Sequence, residues 1–116
     1  MTKPSGLIPE GGSVTLTCLT DESNPVADIV WTKGNTVITT GVANTVVTDG
    51  VKYNGERRQS VLRFTASRSD NMVVYNCYVT GQRFKDSHTL NVECMYFINF
   101  NWYASYCRSH ISAVCV

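Results

Sequence analysis

The side chains best equipped for chemistry in this 116-residue chain are five cysteines (Cys18, Cys77, Cys94, Cys107 and Cys115) and two histidines (His88 and His110). Cys94, Cys107, His110 and Cys115 are all zinc donors by type, but their spacing matches none of the paired patterns of structural zinc sites. Asp21, Glu22, Asn24 and Asp28 lie close enough together to hold calcium weakly, and solvated loop charge accounts for them as simply. His88 lies near the start of the final strand-like segment and reads as a half-exposed edge residue. The sequence contains no GxSxG, HExxH, Walker or GxGxxG motif. No catalytic residue, no metal ligand set and no cofactor is therefore expected, and the chain reads as a binding protein, not an enzyme.

The length suits one domain of ordinary size. A hydrophobic content of 43% supplies a core, and a net charge of +1 gives no basic excess for nucleic acid. The composition is uneven. Residues 1–93 carry nine basic and nine acidic side chains, whereas residues 94–116 carry only Arg108, together with three cysteines and six of the twelve aromatic residues. This shift predicts a domain over residues 1–93 and a non-domain tail over residues 94–116. The opening residues have no apolar signal-peptide core, and polar residues interrupt the tail too often for a membrane span, so no membrane insertion of this segment is expected. No N-x-S/T glycosylation site occurs.

Within residues 1–93 the pattern is all strands and turns. Val14, Leu16 and Cys18 alternate with polar residues on one strand face. Ile29-Val30-Trp31 ends at Lys33-Gly34-Asn35, and β-branched residues resume from Thr36 to Thr40. Asp49-Gly50 and Asn54-Gly55 are turn dipeptides. Leu62 and Phe64 point inward on the next strand, Tyr75, Cys77 and Val79 share a face of a longer one, and Leu90 and Val92 close the last. Seven or eight short strands at this spacing predict an antiparallel sandwich or barrel.

Cys18, Trp31 thirteen residues later, and Tyr75 two residues before Cys77 together resemble the immunoglobulin fold: Val-Thr-Leu-Thr-Cys, then tryptophan, then Asp70-Asn71-Met72-Val73-Val74-Tyr75-Asn76-Cys77. The segment from Ser60 to Asn71 is similar to constant-like or intermediate-like domains of nephrin- and nectin-like cell-adhesion proteins. The resemblance implies a Cys18–Cys77 disulfide between two sheets, which in the chain-entropy model stabilises by about 4 kcal/mol. It implies that Trp31 packs on that bridge with Leu62 and Tyr75 in the core, where truncating the tryptophan to alanine costs roughly 3–5 kcal/mol. The Tyr75 hydroxyl is expected to bond the backbone of the preceding corner. Asn71 and Val73 depart from the family's usual residues, with Asp70 displaced by one, which puts the usual corner charge pair in doubt.

The resemblance also implies function: an extracellular protein–protein recognition module of an adhesion or receptor protein, of which this chain is a piece. The expected partner is the same or another immunoglobulin-family protein, and the parent is expected at the extracellular face of the plasma membrane or secreted. The alternative is a secreted stand-alone immune-type protein that binds a microbial or carbohydrate ligand. The candidate binding face carries Val30, Thr32, Asn76, Tyr78, Thr89 and Asn91, with a second candidate at the loop Gly81-Gln82-Arg83-Phe84-Lys85. The tail has three open readings: a membrane-surface segment, a disulfide-bearing extension, or intron sequence translated past a splice donor. Residues 95–100 are uncharged and rich in β formers, a composition prone to aggregate when exposed. Truncation after Glu93 is therefore expected to raise solubility without lowering the melting temperature.

Overall fold

The computed structural model describes Met1, residues 6–83 and residues 85–107. These residues form ten strands and one 3₁₀ turn: β1 (Ile8–Pro9), β2 (Ser13–Leu19), β3 (Ile29–Lys33), β4 (Thr36–Ile38), β5 (Val42–Val47), β6 (Arg57–Thr65), the turn Arg68–Asp70, β7 (Val74–Val79), β8 (Lys85–Thr89), β9 (Val92–Ile98) and β10 (Asn101–Tyr106). The fold is an all-β, immunoglobulin-like sandwich. One sheet has the order β2-β6-β5, the facing sheet β4-β3-β7-β8, and a third β1-β9-β10. The first two are antiparallel throughout, and β1 joins β9 in parallel.

Alternation sets the inner faces. Val14, Leu16 and Cys18 of β2, Leu62 of β6, Trp31 of β3, and Tyr75 and Cys77 of β7 are all buried in one cluster. The stretch between Lys33 and Ser60 holds two strands. Short β4 stays beside β3, and the chain then crosses to place β5 beside β6. The crossing turns at Gly41 with φ of 79°, where a Cβ would strike the carbonyl oxygen of Arg63, so only glycine fits.

The composition boundary at Glu93 falls inside β9. Cys94 and Tyr96 continue the inward phase of Val92, and all three are buried with Cys107 in the main cluster. The chain then reverses through Asn99 and Phe100, both at positive φ (50° and 63°), and β10 returns along β9. Cys94 and Cys107 form a second disulfide with Cα atoms 5.0 Å apart. Alternation of buried positions persists across a change in overall composition, and it is alternation that determines packing.

Candidate functional site

Two register pairs meet at the centre of the sandwich. Cys18 lies opposite Ser60 on β2 and β6, and Trp31 lies opposite Cys77 on β3 and β7. Cys18 and Cys77 are joined by a disulfide, Cα atoms 6.6 Å apart. Beside it, Trp31 Nε1 donates to Ser60 Oγ at 2.8 Å, with both residues buried. The sheets are thus linked twice, by one covalent bond and one hydrogen bond. Ser60 was not singled out from the sequence, although it stands two residues before Leu62 and so shares its inward phase.

Below this centre lies the corner before β7. The Tyr75 hydroxyl donates to Asp70 Oδ1 at 3.2 Å, so its partner is a side-chain carboxylate and not the expected backbone. Lys33, opposite Tyr75 in register, reaches the same oxygen at 2.7 Å. Asp70 Oδ2 accepts from the backbone N–H and hydroxyl of Ser67, closing a reciprocal cap on the 3₁₀ turn. Burial raises the Asp70 carboxyl, but Lys33 and the Ser67 donors outweigh it, and the net shift is below the ordinary 3.8. Burial first, and then the Asp70 carboxylate, hold the Tyr75 phenol well above its ordinary range. The displaced Asp70 therefore does form a corner charge pair, with Lys33 as its cation.

The candidate calcium residues do not converge. Glu22 accepts the backbone N–H groups of Lys52, Tyr53 and Gly55 at 2.6, 2.7 and 2.8 Å, and the Lys52 bond leads the causes that shift its carboxyl below 4.5. Asp28 pairs with Arg58 at 3.3 Å. Of the four candidate zinc donors, Cys94 and Cys107 are bonded to each other, with a Glu10 oxygen 3.4 Å from the Cys94 sulfur. A disulfide sulfur offers no thiolate to a metal. His110 and Cys115 lie outside the described residues, and His88 is half-buried on β8 opposite Tyr75.

The outward side of β4-β3-β7-β8 carries most of the residues expected for binding. Val30 lies opposite Tyr78, Thr32 opposite Asn76, and Thr89 opposite Val74. Thr32 is itself buried: Asn76 Nδ2 donates to its Oγ1 at 3.2 Å, and Ser87 donates to the Asn76 oxygen. Thr32 therefore supports the face instead of offering a contact. Asn91 lies in the break between β8 and β9, where its carbonyl accepts the Ile8 N–H. Val37, opposite Thr32, and Val74 are exposed on the same face and were not selected from the sequence. Lys85 sits over the Tyr78 ring, 5.3 Å from its centroid. Of the second candidate, the Gly81–Gln82 turn closes through Gln82 N–H to Val79 oxygen at 3.0 Å, and Phe84 lies outside the described residues.

A two-sheet sandwich pinned at its centre by a disulfide beside a buried tryptophan, with a tyrosine held at the corner before the second cysteine, defines an immunoglobulin-like domain. The chain belongs to that family: it matches the family described as Immunoglobulin domain over residues 1–94. Among solved structures it is similar to one titled "Crystal Structure of Rst D1-D2", with 24% identity and a TM-score of 0.59 over 74% of this chain. The likeness covers 42% of that chain, and at this identity it bears on the fold alone. No curated protein sequence matches.

Proposed function

We propose that this domain is an extracellular protein-recognition module of an adhesion or receptor protein, binding through the outward face of β4-β3-β7-β8. Immunoglobulin domains are typically recognition modules without catalytic activity, and two disulfides suit an oxidising compartment. Among the described residues no helix is long and apolar enough to cross a membrane. The observation that carries the proposal is the composition of this face. Val37, Val30, Val74 and Tyr78 are apolar or aromatic, the Thr32–Asn76–Ser87 ladder is neutral, and Lys85 is the charged residue among them. Apolar anchors set among pre-ordered neutral groups, with few charges, match the interior of a recognition interface.

The fitting partner is another immunoglobulin-family protein or a second copy of this one. A binding screen of the chain against immunoglobulin-family ectodomains, itself included, tests this. Val37→Asp and Tyr78→Ala should each weaken the captured interaction at least tenfold, while Thr45→Asp, exposed on β5 of the opposite sheet, leaves it unchanged. Equal binding by all three variants would remove the face from the proposal. Residues 1–93 are proposed as the domain proper, with residues 94–107 of the β9–β10 hairpin as its extension.

A further inference from the structure

The β9–β10 hairpin leaves one edge of the third sheet open, since β10 ends the order β1-β9-β10. Its main-chain phase is fixed. Cys107 N–H bonds Val92 oxygen at 2.9 Å, so Cys107 and Val92 are a hydrogen-bonded pair, and so in turn are Ser105–Cys94, Tyr103–Tyr96 and Asn101–Ile98. The intervening residues of β10, namely Trp102, Ala104 and Tyr106, direct their N–H and C=O groups away from β9. Among the described residues no main-chain group pairs with them, and the one side-chain contact is the Tyr96 hydroxyl donating to the Tyr106 oxygen at 3.4 Å. From Cys94 to Cys107 the chain has no charge and no proline, and β10 pairs with β9 without a bulge. Those are the features by which edge strands avoid further pairing, and β10 has none of them.

We infer that this edge binds the same edge of a second copy, forming a two-fold antiparallel β10–β10 junction centred on Ala104. The occupant follows from charge and register together. An uncharged strand meets its own copy without repulsion, whereas a charged partner would leave its charges unpaired along the strand. An antiparallel junction must match outward-directed residues to outward-directed residues. Centring on Ala104 places Trp102 opposite the copy's Tyr106 and Ala104 opposite the copy's Ala104, so all three outward residues of each strand are used. Centring on Tyr103 would match only Trp102 with Ala104. The smallest residue then lies on the axis, and an aromatic cross-strand pair closes each end. Trp102 and Tyr106 are about half exposed in the single chain, which leaves them free for this contact.

The test is sedimentation equilibrium of the full chain carrying Cys115→Ser, so that an intermolecular disulfide is not scored as dimer. A reversible dimer is expected at micromolar concentrations. Ala104→Pro removes only the outward N–H and leaves the hairpin's own bonds in place, because proline is tolerated where an edge N–H faces away from the sheet. It should weaken the dimer at least tenfold. Ala104→Lys, which puts two like charges on the axis, should do the same. A circular-dichroism spectrum and a cooperative thermal transition like the parent's confirm that each variant is folded. A chain monomeric at 100 μM overturns the inference, as does dimerisation unchanged by both Ala104 variants. Dimerisation lost through Val37→Asp and not through Ala104→Pro would instead assign self-association to the β4-β3-β7-β8 face.

Discussion

Ser60→Ala is the smallest change that isolates the second link between the sheets. Ser60 is completely buried and accepts the Trp31 indole N–H at 2.8 Å. Alanine removes a hydroxyl and leaves almost no void, so the cavity contribution is small. The indole N–H, with Trp31 1% exposed, is left without a partner. An unsatisfied buried donor costs about 1–3 kcal/mol. For a domain of this size each kcal/mol moves the melting temperature by roughly 4 °C, so a central cost of about 2 kcal/mol lowers it by roughly 8 °C. The decisive measurement is a double-mutant cycle with Trp31→Phe, read by urea unfolding with circular dichroism. Phenylalanine carries no N–H, so Ser60→Ala in that background removes an acceptor that has already lost its donor. The two substitutions should fall short of additivity by about 1 kcal/mol or more. A Ser60→Ala variant within about 0.3 kcal/mol of the parent, at an unchanged m-value, refutes the reasoning, as do strictly additive effects.

Four further outcomes follow from the same geometry. Asp70→Asn should lower the melting temperature at pH 7. Because the folded Asp70 carboxyl lies below its ordinary 3.8, its contribution is present above about pH 4 and disappears as pH falls through the folded value, so parent and variant should converge in acid. Gly41→Ala should destabilise by more than about 1 kcal/mol, measured by urea unfolding, since positive φ and the Arg63 carbonyl both oppose a Cβ. Truncation after Glu93 removes buried Cys94, Tyr96 and Cys107, and should lower the melting temperature by roughly 10 °C or more, the opposite of what the tail's composition suggests. Asn71→Ala should raise hydrogen exchange in β10 selectively, leaving β2 and β6 protected, because Asn71 bonds both Val92 N–H and Cys107 oxygen.

The central residues were legible because their types and spacing resemble the immunoglobulin pattern, and the resemblance implies their pairing. Cys18, Trp31 and Cys77 sit on strands whose alternation also fixes their direction, and a disulfide beside a tryptophan leaves few other arrangements. Ser60 shared the inward phase of Leu62, but a serine at an inward position gives no indication of its partner, which comes from the facing sheet. The corner charge pair was left in doubt for a local reason. The 3₁₀ turn Arg68–Asp70 carries the carboxylate under Tyr75 from one position earlier than usual. Thr32 was on the expected face but lies beneath Asn76, a burial that depends on side-chain length across neighbouring strands. For the tail, composition and periodicity disagreed. The loss of charge after Glu93 suggested a boundary, while Val92, Cys94 and Tyr96 kept period two.

The corner before β7 explains how the hairpin and the sandwich become one structure. Asp70 and Asn71 are adjacent, yet their side chains serve different sheets. Asp70 is bound to Tyr75 and Lys33 of the sheet β4-β3-β7-β8. Asn71 spans the base of the hairpin, its amide donating to Cys107 oxygen at 2.8 Å and its oxygen accepting Val92 N–H at 2.8 Å. Met72 follows at a φ of 66° and donates to Leu90 oxygen at 2.8 Å, setting the chain on course for β7. The substitution of Asn71 for the family's usual aspartate is consistent with this role. A carboxylate could accept from Val92 but could not donate to Cys107. Asn71, one of the two residues that depart from the family pattern, thus holds the feature by which this chain departs from a simple sandwich, and the displaced charge at Asp70 keeps the corner intact beside it.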